Sequence, residues 1–160
     1  MAWANITAYT AADLAKGKAE IIEAISLIEA KIAANKHRNG KLTDEEMYAM
    51  QFVNSVLVPR AGEFSTRIVG GLIAAATYAI SGDDTKGADA EVTEVNVVVE
   101  IEKIIDALQL DDCSYVLAKT SYTAATAEAN GSYKFKATVS KAGKIFTTAE
   151  VTATISKLTA

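Results

Sequence analysis

Apolar residues recur at helical intervals along the first part of this chain and at intervals of two along the last. After Thr10-Ala11-Ala12-Asp13, which has the form of an N-cap with a carboxylate in the first turn, Leu14, Ile21, Ile25, Ile28 and Ile32 fall on one helix face, widened by Ile22 and Leu27. Ile21, Ile25, Ile28 and Ile32 make a continuous stripe. Such a stripe suits an oligomer interface, or the packing of this helix on the chain's own second helix. That second helix is predicted from Thr43, where Thr43 and Glu46 have capping-box spacing, with Met47, Met50, Val53, Val56 and Leu57 as its apolar face. Pro59 should end or kink it, because the ring has no N–H and crowds the carbonyl one turn back. Beyond Arg60 a third helical piece is expected to reach Ile80, where Gly70, Gly71 and Ala74-Ala75-Ala76 leave a smooth surface for close backbone approach.

Ser81 to Glu91, SGDDTKGADAE, is a composition shift toward small and acidic residues and predicts a linker or long loop. Val95, Val98, Ile101, Ile105 and Leu108 then return to helical spacing, although VNVVVEI also fits a strand. The period becomes two after Leu110-Asp111-Asp112. Tyr133, Phe135, Ala137 and Val139 alternate with Lys134, Lys136, Thr138 and Ser140, the pattern of a half-buried strand with one wet face. Asn130-Gly131 before it is a hairpin-turn pair preceded by a strand-like Ser121 to Ala127. Lys141-Ala142-Gly143-Lys144 turns the chain again, and Val151, Ala153 and Ile155 mark a closing strand.

The expected fold class is therefore α+β: an N-terminal helical hairpin or bundle over 1–82 for oligomerisation or docking, a linker over 83–91, and an antiparallel β module with a preceding short helix over 92–160. The 160 residues suffice for one domain or two small ones, and half are hydrophobic, a globular composition. A net charge of -4 argues against a nucleic-acid partner. The single cysteine, Cys113, excludes an intrachain disulfide framework and a multi-cysteine metal knuckle. The N-terminus has no basic cluster followed by an apolar run, so no signal peptide is expected. The apolar run from Ile68 to Ile80 falls short of the roughly 20 residues that span a bilayer, so no membrane insertion is expected.

Asn35 to Glu46, NKHRNGKLTDEE, carries a glycine at the turning place (Gly40), an apolar residue at Leu42 and a closing carboxylate at Glu46. Over these residues it resembles an EF-hand or dockerin-type loop. The ligand positions depart from that pattern. Asn35, His37 and Asn39 replace carboxylates, and Lys36, Arg38 and Lys41 surround the place of the cation, so a hard cation gains little. Asn35, Asn39 and Glu46 are the weak metal candidates. The same letters also spell a helix hairpin, with Asn39-Gly40 as the left-handed turn and Thr43 to Glu46 as the next cap.

No other residues converge on a reaction. His37 has no nucleophile or ligand partner in sequence reach. Asp83-Asp84 and Asp111-Asp112 have the character of solvated turns, Cys113 that of a small core residue, and Gly70-Gly71 lacks a phosphate loop's lysine. No enzymatic activity and no cofactor is expected. Lys134 and Lys136 form a possible partner-binding face.

The stretch SYTAATAEANGSYKFKATVSKAGKIFTTAEVTATI, Ser121 to Ile155, resembles the Ig-like, X2-like repeats of Gram-positive surface proteins, and similar modules decorate tailed-phage virions. The resemblance extends over about Val92 to Leu158, with Thr93 to Leu110 as the short helix that precedes the strands in such repeats. It implies a spacer or adhesive module without catalytic residues. Surface repeats stand in tandem behind a secretion signal, whereas here one copy follows a helical half. The expectation is thus a phage virion component (capsid decoration, head fibre or tail protein), homo-oligomeric and meeting capsid or tail proteins. The alternatives are a fragment of a cell-surface or S-layer-type adhesion protein meeting cell-surface glycans, a cytoplasmic binding module, and a calcium-binding helix-loop-helix.

Overall fold

The computed structural model describes residues 9–35, 40–88 and 91–159. The protein is α+β: helices fill the N-terminal part and a five-stranded sheet the C-terminal part. It divides into two compact units, Met1–Ile68 with Ser140–Ile145, and Val69–Val139 with Phe146–Ala160.

In the first unit, α1 spans Ala11–Ala34 and opens on a full capping box. The Thr10 hydroxyl accepts from Asp13 N–H, and the Asp13 carboxylate accepts from Thr10 N–H. Each such cap contributes about 1 kcal/mol. The Asp13 hydrogen bonds from the Thr10 side chain and backbone hold its carboxyl below the usual range. A second capping box, Thr43 with Glu46, opens α2 (Asp44–Phe52) as its spacing predicts. Leu14 and Ile21 of α1 meet Val53, Leu57 and Phe64 in a small core, with Ile25 and Ile28 against its rim.

Pro59 neither ends nor sharply breaks the second helix. A π turn over Val53–Leu57 carries α2 directly into α3 (Val58–Ala75), with Val58 N–H donating to Val53 five residues back. The wider turn absorbs both consequences of proline, the missing donor and the crowded carbonyl at Ser55. The first three turns of α3 belong to this unit. At Gly62 an added Cβ would stand 2.7 Å from the Lys141 carbonyl, so only glycine lets the hairpin tip approach here.

The third helix stops at Ala75 rather than continuing to Ile80. Chain 79–80 is a short strand, β1 (Ala79–Ile80), paired parallel with β5 (Val151–Ile155). Tyr78 turns inward, and its hydroxyl donates to the Ile73 carbonyl at 2.6 Å, satisfying an acceptor that the ending helix leaves open. The neighbouring Tyr78 and Ile80 carbonyls accept from Thr154 and Ser156, which commits this chain to the sheet.

The segment expected to be a linker is built structure where it is described. Asp83–Thr85 forms a 3₁₀ turn, Thr85 is fully buried, and Lys86 bridges to Val92. Asn96 donates its amide to the Thr85 and Lys86 carbonyls, pinning the turn to α4 (Glu94–Asp106). The helical reading of 94–106 holds, but its inward face is Val97, Ile101 and Ile105 rather than one containing Val95, which is 72% exposed. In a run this rich in valine the apolar positions surround the helix, so periodicity alone does not fix the phase.

Strand β2 is Ser114–Thr123, earlier than the strand-like stretch suggested, and starts beside buried Cys113. Asp111 and Asp112, with φ of 50° and 58°, turn the chain back from α4, closed by Cys113 N–H donating to Leu110 O. Two consecutive left-handed residues define a type I′ turn, which Asp tolerates. The Asn130-Gly131 pair does not form the next turn. Instead the Thr126 hydroxyl accepts from Glu128 and Ala129, and Asn130 Oδ1 accepts from Lys157 N–H. Gly131 serves close approach: an added Cβ would lie 2.5 Å from Ala125 N and Thr123 O.

β3 (Gly131–Lys141) alternates as read, with Tyr133, Phe135, Ala137 and Val139 buried. β4 (Lys144–Thr147), not anticipated, returns after a second I′ turn with Ala142 at φ 51° and Gly143 at 76°. The sheet order is β1-β5-β3-β2, with β4 also paired to β3. One face packs on α4 and the end of α3 through Val69, Ile73, Val97, Ile101 and Ile105, so the layer opposite this sheet is helical. Gly70, read as part of a smooth surface, meets the Phe146 ring, whereas Gly71 faces open space.

Candidate functional site

The hand-like loop is assembled as a helix junction. Asn35 and Glu46 do meet, with Asn35 Nδ2 donating to Glu46 Oε2 at 3.2 Å. The other carboxylate oxygen, Oε1, accepts from Thr43 N–H at 3.0 Å. Glu46 is buried and both its oxygens are thus engaged in closing the loop and capping α2, which leaves the α2 N-terminus satisfied rather than a cation. Gly40 takes the left-handed turn at φ 65°. Asn39 and His37, with Lys36 and Arg38, lie outside the described residues. Among the described residues no three His, Cys, Asp or Glu side chains cluster as metal ligands would.

The isoleucine stripe of α1 is divided. Ile21 is only 2% exposed and sits in the core with Val53, Leu57 and Phe64. Ile25, Ile28 and Ile32 are half-buried, and Ile28 and Ile32 line a hollow with Lys31, Asn35, Thr43 and Ala49. The stripe therefore packs to a large extent on this chain's own second helix. Ile22 and Leu27, beside it, remain exposed.

Apolar surface is instead concentrated on the outer side of α2 and the π turn. Tyr48, Phe52 and Val56 are 71%, 48% and 46% exposed, and Met47, Leu42 and Val58 are exposed too. Tyr48 and Phe52 stand one helical turn apart, and Val56 continues the line through the π turn. Phe52, Val56, Leu57 and Pro59 line an open hollow of about 530 Å³ together with Arg60, Glu63 and Lys144. Arg60 Nη1 pairs with Glu63 Oε2 at 2.7 Å, and its guanidinium lies 5.2 Å from the Phe64 ring centroid. Exposed apolar side chains gathered in this way are a feature of interaction surfaces in general. Residue patterning placed Val56 on the buried face; the π turn, which adds a residue to the repeat, is what carries it outward, and the proline is its sequence signal.

Lys134 and Lys136 stand on the outer face of the sheet, as the alternation predicts. Lys134 lies 3.8 Å from Glu150 and opposite Thr152, and Thr138 shares a 3.1 Å hydrogen bond with Thr147. The face is mainly a Lys/Thr/Ser surface, with Glu150 beside Lys134 and Val116 exposed on β2. Cys113 and the Asp111-Asp112 pair belong to the turn before β2, and Asp83 binds Lys86 and Thr159, so each acidic pair has a structural use.

No helix among the described residues is long and apolar enough to cross a membrane. Comparison with protein-family models, curated proteins and solved structures finds no match for this chain.

Proposed function

We propose that this protein is a non-enzymatic structural and interaction protein, a virion component of a tailed phage such as a capsid decoration, head-fibre or tail protein. In this reading the helical unit docks or self-assembles, and the sheet unit is the displayed module. The observation that carries it is the exposed apolar surface of the helical unit at Tyr48, Phe52 and Val56, in contrast to the closed core of the sheet unit. The link to virions rests on the resemblance of Ser121 to Ile155 to display modules. Mass spectrometry of purified particles from the source culture, together with the identity of neighbouring genes, tests it. Enrichment in particles and neighbours encoding capsid or tail proteins are expected; a protein confined to the particle-free fraction overturns the reading.

A second reading, a cell-surface adhesion protein, is favoured by the open Lys134 and Lys136 face, suited to acidic glycans. A secretion signal encoded upstream of these residues would support it over the first.

A further inference from the structure

We infer that the exposed stripe of α2 and α3 is a self-association surface, covered by a second copy of this chain lying antiparallel across it about a two-fold axis. The inference rests on the docking role given above to the helical unit, but it names a surface other than the α1 isoleucines and specifies what covers it.

The warrant is an antisymmetry of charge around an apolar middle. Glu45, Tyr48, Phe52, Val56 and Arg60 follow one another at intervals of three and four, and they run along one side of the continuous helix. Glu45, with Asp44 beside it, is exposed and makes one end acidic. At the other end Arg60 is neutralised by Glu63, and exposed Lys144, lining the same hollow, supplies the positive charge. Glu45 and Arg60, the helix residue that lines the same hollow as Lys144, are roughly 20 Å apart at 1.5 Å per residue.

A parallel copy would set like charges together. An antiparallel copy sets Glu45 against the partner's Lys144 at both ends at once. The sequence midpoint between Glu45 and Arg60 falls at Phe52, so Phe52 meets its own symmetry mate at the axis and Tyr48 faces the partner's Val56. Aromatic side chains at the centre of a patch, with charges at its rim, are the composition that strong contacts favour.

Sedimentation equilibrium on the whole chain, across a dilution series to about 200 μM, tests this, because weak dimers with Kd near 10 μM bind with only about 7 kcal/mol. The wild type should be a dimer, and Phe52→Ser a monomer with unchanged far-UV circular dichroism. E45K and K144E should each weaken the dimer about tenfold or more. The decisive variants are the pairings. The double variant E45K/K144E, and an equimolar mixture of the two single variants, should each recover wild-type affinity, since either restores both contacts.

Recovery in the mixture also shows that each single variant is folded. A monomeric wild type overturns the inference, as does a dimer indifferent to K144E or a double variant no tighter than the singles. Whether the protein is found in purified particles is a separate result, so the assembly surface and the virion reading fail independently.

Discussion

The two units of this protein handle their apolar residues in opposite ways. The sheet unit closes on itself: Phe135, Ile73, Ile101, Ile105, Val97, Val139 and Ile155 are all essentially inaccessible, and a T-shaped contact between Tyr78 and Phe135 seals the middle. The helical unit gathers only Leu14, Ile21, Val53, Leu57 and Phe64, while a comparable set of large apolar side chains stays at its surface. Burial of such a side chain is worth about 1.5–3 kcal/mol. The sheet unit has used most of that free energy internally, although Leu72, Val95, Val99 and Val116 stay outside, and the helical unit leaves a larger share of its apolar side chains at the surface.

The widest gap between the units should appear on cutting into their cores. Phe135→Ala removes a fully buried ring and should cost about 3–5 kcal/mol in urea unfolding. Ile21→Ala, in a small core of five buried side chains, should cost about 2 kcal/mol, the low end for such truncations. Amides of α1 should likewise exchange with solvent faster than those of β3. Equal losses, or equal protection, would break the comparison.

Glycines sharpen it at the next level. Gly131→Ala would drive a methyl against backbone atoms at 2.5 Å, and overpacking of this kind costs about 1–3 kcal/mol. Gly17→Ala also meets a close atom, at 2.7 Å, but it is the edge of the Phe64 ring in the looser core. There the gain of about 1 kcal/mol in helix propensity should offset the shift of the ring, leaving stability nearly unchanged. A Gly17→Ala loss as large as that of Gly131→Ala would show the helical core to be as rigid as the other.

Much of this architecture was legible from residue order. The N-cap at Thr10, the capping box at Thr43, the hairpin of helices, the alternation of β3 and the closing strand all follow from local rules, because each is decided within a few residues. The misread features depend on distant partners. Ala79–Ile80 has no strand signature of its own and becomes a strand because β5 offers its edge. Thr85 reads as loop and is buried because Asn96 and Thr93 close over it. Asn130 has the letters of a turn residue, but its side chain serves Lys157. The candidate surface was little visible: of its stripe only Val56 stands among the apolar positions read for the second helix, and the π turn before Pro59 turns it outward, while Tyr48 and Phe52 fall off that helical pattern.

Backbone strain gives a smaller effect at the β3–β4 turn. Ala142 holds φ 51°, which costs an L-residue with a Cβ about 1–2 kcal/mol. Replacing it by glycine removes that strain but adds freedom to the unfolded chain, which takes back about 0.4–1 kcal/mol. Ala142→Gly should therefore raise stability by about 0.8 kcal/mol, the difference between the midpoints of those two ranges. A rise in urea midpoint with an unchanged m-value checks it; a fall would mean that the methyl's packing near Gly62 outweighs the strain.

The least effect is electrostatic and belongs to the edge of the closed unit. The Asp83 carboxylate accepts from Lys86 and from the Thr159 hydroxyl and N–H, tying the 3₁₀ turn to the end of the chain. The Lys86 hydrogen bond, then that of Thr159, holds its carboxyl below the ordinary 3.8. A carboxyl lowered by folding binds protons more tightly in the unfolded chain, so its stabilisation is fully present above pH about 4 and is lost as pH falls through the folded value. Because the group is exposed, salt screens its ion pair with Lys86. Asp83→Asn should then leave stability at pH 2.5 close to wild type and lower it slightly at pH 7, with the difference shrinking in 0.5 M NaCl. The absence of any difference at pH 7 would mean that the turn is held by its buried Thr85 alone, with the carboxylate a passenger on the surface.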